Sequence, residues 1–504
     1  MLVYEDISLF LFKIVIEVSR FYRLGLCKLE RNNKTSMLFT RFSPFIIMFF
    51  FFSYLCSAQI TITLDSTILE ERVIVNSTEV PWEICWGPDD FIWMTERVGL
   101  VSRLNPESGE IIPLADLRNI VATDMETGLL GLVHHPDFST EPFVYLVYTF
   151  ESGDTLLERL SRFEYIDGNL QNELFLLDSL PSAIRHCGSR IVVSQDDKIF
   201  MTIGDARVPL LSQDSTGFVG KVLRINLDGS IPDDNPYPDS YVYSYGHRNS
   251  QGLVFGPNGF LYASEHGEFR SDELNIIEPK RNYGWPYVEG ICDSLYEQVF
   301  CDSLNIKEPI HHWDTCQAVN DLVFYENMQI PEWEGKLLMA TLGGVFGVPG
   351  VFVLTLDEDG LSVIDEKRYF SDYGRIRDVC VNPNTGAIYF ATNGFVYPGE
   401  GPNSIIEYKR KIISSTEKIG RNPNELIQVF PNVINRGDEV RLQFNFDYKP
   451  YYFDIYSNDG KVMDSQKITR SEERISTLGW SSGMYFVRLR SNSGHSIYKK
   501  IIVQ

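Results

Sequence analysis

An all-β fold is predicted, a six-bladed β-propeller followed by a small β-sandwich, and three observations carry the prediction. Four stretches repeat one unit: residues 81–96 (PWEICWGPDDFIWMTE), 190–205 (RIVVSQDDKIFMTIGD), 251–265 (QGLVFGPNGFLYASE) and 377–393 (RDVCVNPNTGAIYFATN). Each runs from an apolar strand through a polar turn to a second strand with an aromatic, and ends on a carboxylate or amide. Such a unit cannot bury both faces alone, and copies set around an axis become propeller blades. Gly, Pro, Asn and Asp turns separate short apolar runs across residues 76–411, without long helical periodicity. About 340 residues at four strands per blade gives about six blades.

The elements follow in chain order. The apolar run at 45–55 (FIIMFFFFSYL) comes after Arg41 and ends at Cys56, Ser57 and Ala58. A basic flank, a short apolar core and small residues at the cut describe a secretory signal peptide within residues 1–58, with Met37 as an alternative start. Leu55 before Cys56 argues against a lipoprotein signal. No transmembrane segment is expected once this leader is cleaved. Residues 59–75 form an alternating lead-in. Residues 59–411 hold the propeller, with further strands at 143–150, 160–165, 221–227 and around a Gly-rich turn in 336–356. Residues 412–424 are a polar linker, and 425–504 read as a separate β unit with a hairpin turn at Asn458, Asp459 and Gly460.

The chain of 504 residues has a formal charge of −23. That excludes nucleic acid as a general partner, since nothing here neutralises phosphates; acidity also suits the solubility of an exported protein. Six cysteines remain after the leader, and fifteen pairings are open to them. Cys292 and Cys301, bracketing a short acidic loop, are the favoured pair. Cys85 and Cys380 hold equivalent places in the first and last repeats, so a bridge closing the ring is a further expectation. The spacings hold no Cys-x-x-Cys zinc pattern.

His186 is the titratable residue with most chemical promise. It lies in a loop, residues 185–190 (RHCGSR), feeding the strand pair that ends at Asp205. Imidazole takes a proton near neutral pH, and a carboxylate fixes its tautomer; a loop histidine without a role is the competing reading. Cys187 as a nucleophile is disfavoured, because adjacent extended residues point apart. Residues 245–252 (YGHRNSQG) offer glycines for close backbone approach and Arg248 for an anion, or simply a tight turn between blades. Arg375 and Arg377, two apart on a strand, point to one face and suit a polyacid. The oxygens of residues 264–274 (SEHGEFRSDEL) suit a hard cation such as calcium. The last residues of the four repeats, Glu96, Asp205, Glu265 and Asn393, are expected near one end of a central channel.

As an ordered set, residues 126–138 (ETGLLGLVHHPDF), 186–205, 220–236 (GKVLRINLDGSIPDDNP), 245–252, 264–274 and 282–286 (NYGWP) resemble the glucose/sorbosone dehydrogenase family. The resemblance covers roughly residues 76–411. It implies a six-bladed propeller holding pyrroloquinoline quinone (PQQ) and calcium on its axis, and a secreted enzyme oxidising aldoses to lactones. It implies His186 as general base with Asp205 in support, and Arg248 beside the reacting quinone oxygens. Glu126, Asn249, Arg375 and Arg377 would contact the cofactor. Gly267 and Glu268 would hold its calcium through carbonyls, and Glu273 and Tyr283 a separate structural calcium. The sequence departs from the family in two places: no lysine stands near Leu342, Gly343 and Gly344, and residues 312–321 (HWDTCQAVND) replace the aromatic stretch that covers the cofactor. The alternative reading is therefore a propeller of the hedgehog-interacting type, which binds a protein or glycan without turnover. The electron acceptor is unspecified by the sequence.

The tail resembles a type IX secretion sorting domain. Its marks are residues 429–432 (VFPN), 456–461 (YSNDGK), 482–487 (SGMYFV) and 499–503 (KKIIV). This implies passage through the periplasm and across the outer membrane by the type IX machinery, to the surface or the medium.

Overall fold

The computed structural model describes residues 60–396, 401–412, 427–444 and 451–504, leaving out positions 345, 402, 459, 469, 471 and 492–495. The expected leader in residues 1–58 and most of the linker, 413–424, lie outside the described residues.

Two strands, β1 (Thr61–Thr63) and β2 (Ile68–Val75), precede the first blade. That blade is β3 (Pro81–Trp86), β4 (Ile92–Glu96), β5 (Leu100–Leu104) and β6 (Ile111–Asp116). The second is β7 (Leu129–His134), β8 (Phe143–Ser152), β9 (Thr155–Ile166) and β10 (Asn169–Pro181), and the third β11 (Gly188–Val193), β12 (Lys198–Ile203), β13 (Lys221–Asn226) and β14 (Val242–Tyr245). The fourth is β15 (Ser250–Phe255), β16 (Leu261–Glu265), β17 (Asp272–Ile277) and β18 (His311–Trp313). The fifth is β19 (Val319–Tyr325), β20 (Lys336–Thr341), β21 (Gly350–Leu356) and β22 (Val363–Tyr369). The sixth has β23 (Ile376–Val381), β24 (Ile388–Thr392) and β25 (Ile405–Arg410), and is completed by β2 and β1 from the other end of the chain.

These six antiparallel sheets fit a six-bladed propeller. Their first strands touch in a closed circuit, β3 to β7, β11, β15, β19, β23 and back to β3. Six apolar clusters fill the spaces between the blades, one in each interface. Inner strands such as β4 and β16 are buried along their whole length because both faces meet a neighbouring blade. The repeats recognised in the sequence are the two inner strands of the first, third, fourth and sixth blades. Their turn signature has a conformational cause: Asp90, Asp197, Gly259 and Gly386 all take left-handed φ, between +58° and +82°. The second and fifth blades escape the pattern because their turns, between β7 and β8 and between β19 and β20, are longer.

The lead-in is thus a structural strap. β2 pairs antiparallel with β25, so the first and last parts of the propeller share one sheet. This strand pairing joins the two ends of the ring, and it corrects the expected Cys85–Cys380 bridge. Both thiols are free: Cys380 packs in the apolar interface between the sixth and first blades, whereas Cys85 packs against the interface between the first and second, its Sγ 3.8 Å from His134 Nδ1. Cys292 and Cys301 do form a disulfide. The segment between them is not a loop; it carries α1 (Leu295–Leu304), started by a capping box of Ser294 and Glu297.

In the tail, β26 (Ile427–Phe430), β28 (Glu439–Phe444) and β31 (Glu472–Ser476) form one sheet. β27 (Val433–Ile434), β29 (Tyr451–Ser457), β30 (Val462–Lys467), β32 (Gly483–Ser491) and β33 (Ser496–Val503) form a second. Ile427, Leu442, Phe453, Val487 and Ile501 are among the residues of their common core. No described helix is long and apolar enough to cross a membrane.

Candidate active site on the propeller axis

Each blade contributes the start of its first strand to one axial cavity of about 360 Å³: Trp82, Leu130, Gly188, Gln251, Ala318 and Arg377. Glu126, Asn249, His266, Leu342, Gly343, Gly344 and Arg375 complete the wall. The circuit of first strands therefore places every expected cofactor contact except Arg248 on one cavity. Arg248 lies just behind it, its guanidinium 5.1 Å from the Trp285 ring centroid and Nη1 donating to the His266 carbonyl at 3.3 Å.

The repeat's terminal carboxylate has a local role. Glu96 accepts the backbone N–H of Glu79, and Glu265 that of Arg248. Asp205 bonds His186, with Nδ1 and Oδ1 2.7 Å apart. Glu79, His186 and Arg248 each stand two residues before the first strand of their blade. The carboxylate thus fastens the segment that enters the blade, and in the third blade it fastens an imidazole. The four terminal residues do share one end of the propeller but do not line the cavity: Glu96, Asp205 and Glu265 hold entering segments, while Asn393 donates to the Pro81 carbonyl at 2.9 Å and accepts from Arg377 Nε at 3.1 Å.

Around His186 the arrangement is specific. Its backbone is left-handed, φ +63°, and its N–H donates to Glu126 Oε2 at 2.8 Å. Asp205 is buried and accepts from Trp285 Nε1 at 2.9 Å and from the Arg207 N–H at 2.8 Å. Burial alone would raise the Asp205 carboxyl, yet the His186 bond and these donors hold it below the usual range. With Nδ1 committed to Asp205, Nε2 is the nitrogen left for proton transfer. Cys187 is buried, its thiol pushed up by burial and by Glu158, which removes it as a nucleophile.

Cations dominate the opposite wall. Arg377 donates to Asn393 Oδ1 and Gln251 Oε1, each at 3.1 Å. Burial, followed by the neighbouring Arg375, pulls it down to about 9. Asn249 Oδ1 accepts from the Gly188 N–H and from Gln251 Nε2, each at 3.1 Å. Gly343 and Gly344 do reach the cavity, so the missing lysine is missing from its wall. A Cβ at Gly344 would come within 2.3 Å of the Cys316 carbonyl, which accounts for glycine there.

The expected calcium ligands gather nearby. Gly267 of the expected cofactor-calcium pair and Glu273 and Tyr283 of the expected structural site line one void of about 10 Å³ together with Glu265, Glu289 and the cationic Arg248, about the size of one water. Glu268 lies next to it and donates its N–H to Glu289. Glu273 is buried, its oxygens accepting from the Gly290 N–H at 2.6 Å and Asn275 Nδ2 at 2.8 Å. Burial, then the adjacent Glu265, drive its carboxyl well above the usual range. Among the described residues, Glu83, Asp321 and Asp378 also converge. Arg190 fills their centre, with Nη1 2.6, 3.4 and 2.7 Å from them, so this is an ion-pair cluster under the cavity floor and not a metal site.

Sequence reasoning missed four contributors. Gln251 and Trp82 stand at the start of repeat units, where the sequence marks them only as strand residues. Trp285 lies in the NYGWP segment, whose indole has no local signal for reaching Asp205. His266 sits in a sequence context that shows only an acidic loop.

Residues 78–396 match the family model for glucose/sorbosone dehydrogenases, and residues 428–504 that for a secretion-system C-terminal sorting domain. Quinoprotein glucose dehydrogenase B of Acinetobacter calcoaceticus is 38% identical over 257 residues, 44% of this chain and only 54% of that enzyme. Aldose sugar dehydrogenase YliI of Escherichia coli is 27% identical, over 68% of this chain and 95% of its own length. The PQQ-bound aldose sugar dehydrogenase of Streptomyces coelicolor superposes with a TM-score of 0.57 at 28% identity, covering 68% of this chain and 98% of that one. With the matched model spanning more than half of its length, the chain belongs to the glucose/sorbosone dehydrogenase family.

Proposed function

We propose that the protein is a PQQ- and calcium-dependent aldose dehydrogenase, oxidising the anomeric carbon of a sugar to a lactone. The observation that carries the reading is the His186–Asp205–Trp285 chain beside an axial cavity walled by two arginines. The residues present suit the cofactor. The cavity is roomy, Arg375 and Arg377 match a polycarboxylate, and Arg248 Nε and His266 Nε2 are buried without partners in the chain, as donors and acceptors facing a ligand would be. Calcium would be held by the carbonyls of Gly267 and Glu268, with Glu289 adding charge; Glu273 and the Tyr283 carbonyl suit a structural ion.

His186 removes the anomeric hydroxyl proton at Nε2, and Asp205 stabilises the imidazolium that forms. Trp285 and the Arg207 N–H keep Asp205 ionised and aimed. Arg248 puts positive charge where negative charge gathers in the transition state. Glu126 fixes the His186 loop and lines the pocket. The bound quinone supplies the hydride acceptor. Within this reading residues 59–411 are the catalytic domain, 412–424 a linker and 425–504 the sorting domain. That domain, with the leader in residues 1–58, sends the protein by the type IX machinery to the surface or medium.

The test is reconstitution. Purified protein given PQQ and calcium should reduce an artificial electron-accepting dye with aldoses, and His186→Ala should lower turnover by about 10²–10⁴-fold while PQQ still binds. Turnover unchanged in the variant removes His186 as the base. Absence of turnover with every aldose, with PQQ bound, favours the binding propeller.

A further inference from the structure

Lys221, the first residue of β13, is completely buried. Its ammonium meets no carboxylate among the described residues. Nζ donates to the carbonyls of Ser212 at 3.0 Å, Leu211 at 3.3 Å and Gly220 at 3.4 Å, and to that of Val219. Burying a charge is costly unless polar groups surround it, and four carbonyl dipoles do so here, as they would around a bound cation. The carbonyls come from two stretches of the long loop 204–220 between β12 and β13. The ammonium therefore ties residues 211–212 to residues 219–220 and closes the loop.

The next residue shows what the closed loop holds. Gln213 Nε2 donates to the Trp285 carbonyl at 2.7 Å and to Asn282 Oδ1 at 3.0 Å, and its Oε1 accepts from Asn282 Nδ2 at 2.8 Å. The Ser212 carbonyl also accepts the Gly246 N–H at 2.9 Å, and the Gly246 carbonyl accepts the Trp285 N–H at 3.0 Å. Two paths thus run from the caged ammonium to the backbone of Trp285, whose indole donates to Asp205 Oδ2 at 2.9 Å. Resting on the reading of His186 as the base, we infer that Lys221 is a positioning residue. Its ammonium is a built-in cation that sets loop 204–220, and through Ser212 and Gln213 it holds Trp285 against Asp205 and so aims His186.

Two substitutions test this. Lys221→Met keeps the length of the side chain and removes the charge; Gln213→Ala leaves the ammonium in place and cuts the contact to Trp285. The first readout uses apo-protein labelled with fluorotryptophan, where the fluorine NMR resonance of Trp285 is assigned by its loss in Trp285→Phe. Both substitutions should move or broaden that resonance. With PQQ and calcium added, kcat should fall by about 10–10²-fold, the scale of a small misplacement of a reacting group, while the PQQ Kd and aldose KM stay near wild type. In the Trp285→Phe background either substitution should change kcat little further, because all act through one bond. A Trp285 resonance unmoved in both variants, a wild-type kcat, or a fully additive loss in the Trp285→Phe background overturns the inference and leaves His186 as the base. Losses shared equally by Kd, KM and kcat make Lys221 a packing residue and overturn it as well. If the wild-type protein shows no turnover, the reading of the base fails and this inference fails with it. Should a thermal melt show Lys221→Met unfolded, Gln213→Ala carries the test with the same expectations.

Discussion

His186 shows how much chemistry one residue owes to its setting. A left-handed backbone, a carboxylate at 2.7 Å and an indole behind that carboxylate turn an ordinary imidazole into an oriented one. The consequence is testable at Asp205. Asp205→Asn preserves shape but removes the charge that selects the tautomer and supports the imidazolium. Turnover should fall by roughly 10²-fold or more, within the range a positioned base contributes, while the PQQ Kd stays near wild type. An equal loss of cofactor affinity would indicate that Asp205 merely holds the loop in place. The sequence pointed to His186 and Asp205 through the repeat and the family resemblance. It could not point to Trp285, because the indole arrives from another blade, 80 residues away.

Elements do the positioning. β23 alternates faces, so Ile376 enters the apolar interface with the fifth blade while Arg375 and Arg377 reach the axis. In the proposed cofactor reading, with no lysine at Gly343 or Gly344, these two guanidiniums would carry much of the burden of holding the cofactor's carboxylates. Replacing both with Ala should raise the PQQ concentration for half activity, with turnover at saturation much less affected. A wild-type PQQ requirement in the double variant would reassign the pair to packing. The strap is a second element with a position-dependent meaning. Residues 59–75 read as a neutral lead-in because a strand's partner is invisible in its own sequence. Only β25, more than 300 residues away, gives β2 its function of joining the two ends of the ring.

At the scale of the whole molecule, the blades converge on charges as well as on a cavity. Glu83, Asp321 and Asp378, from three blades, face the single guanidinium of Arg190, and burial pushes Glu83 up to about 8. The folded protein therefore keeps a proton that the unfolded chain has lost above the ordinary glutamate range. The stability that this proton represents is full below about 4.5 and falls as pH rises through about 8. Melting temperatures measured from pH 5 to 8 should decline, and Glu83→Gln should flatten the decline; identical slopes would show that Glu83 ionises normally. The two β units also differ in role. A chain ending at Ile412 should fold and keep any activity, since the propeller closes without the tail. In a host with the type IX pathway it should accumulate in the periplasm. Equal amounts of full-length and shortened protein in the medium would count against the sorting reading.

The sequence by itself determined the local rules. Alternating apolar runs, left-handed turn residues and a recurring terminal carboxylate specify strands, hairpins and a repeat, and these are enough for an all-β ring. The ordered segments around His186, Arg248 and residues 282–286 pointed to the family, and the short spacing of Cys292 and Cys301 made them the favoured pair. Tertiary structure decided everything that depends on which blades become neighbours: the strap in place of a Cys85–Cys380 bridge, the apolar filling of each interface, the gathering of six strand starts on one cavity, Trp285 behind Asp205, and Arg190 among three carboxylates. The physical reason is that hydrogen bonds along a hairpin are local and written in adjacent residues. Packing between blades and charge on the axis arise only when distant segments are brought within a few ångströms.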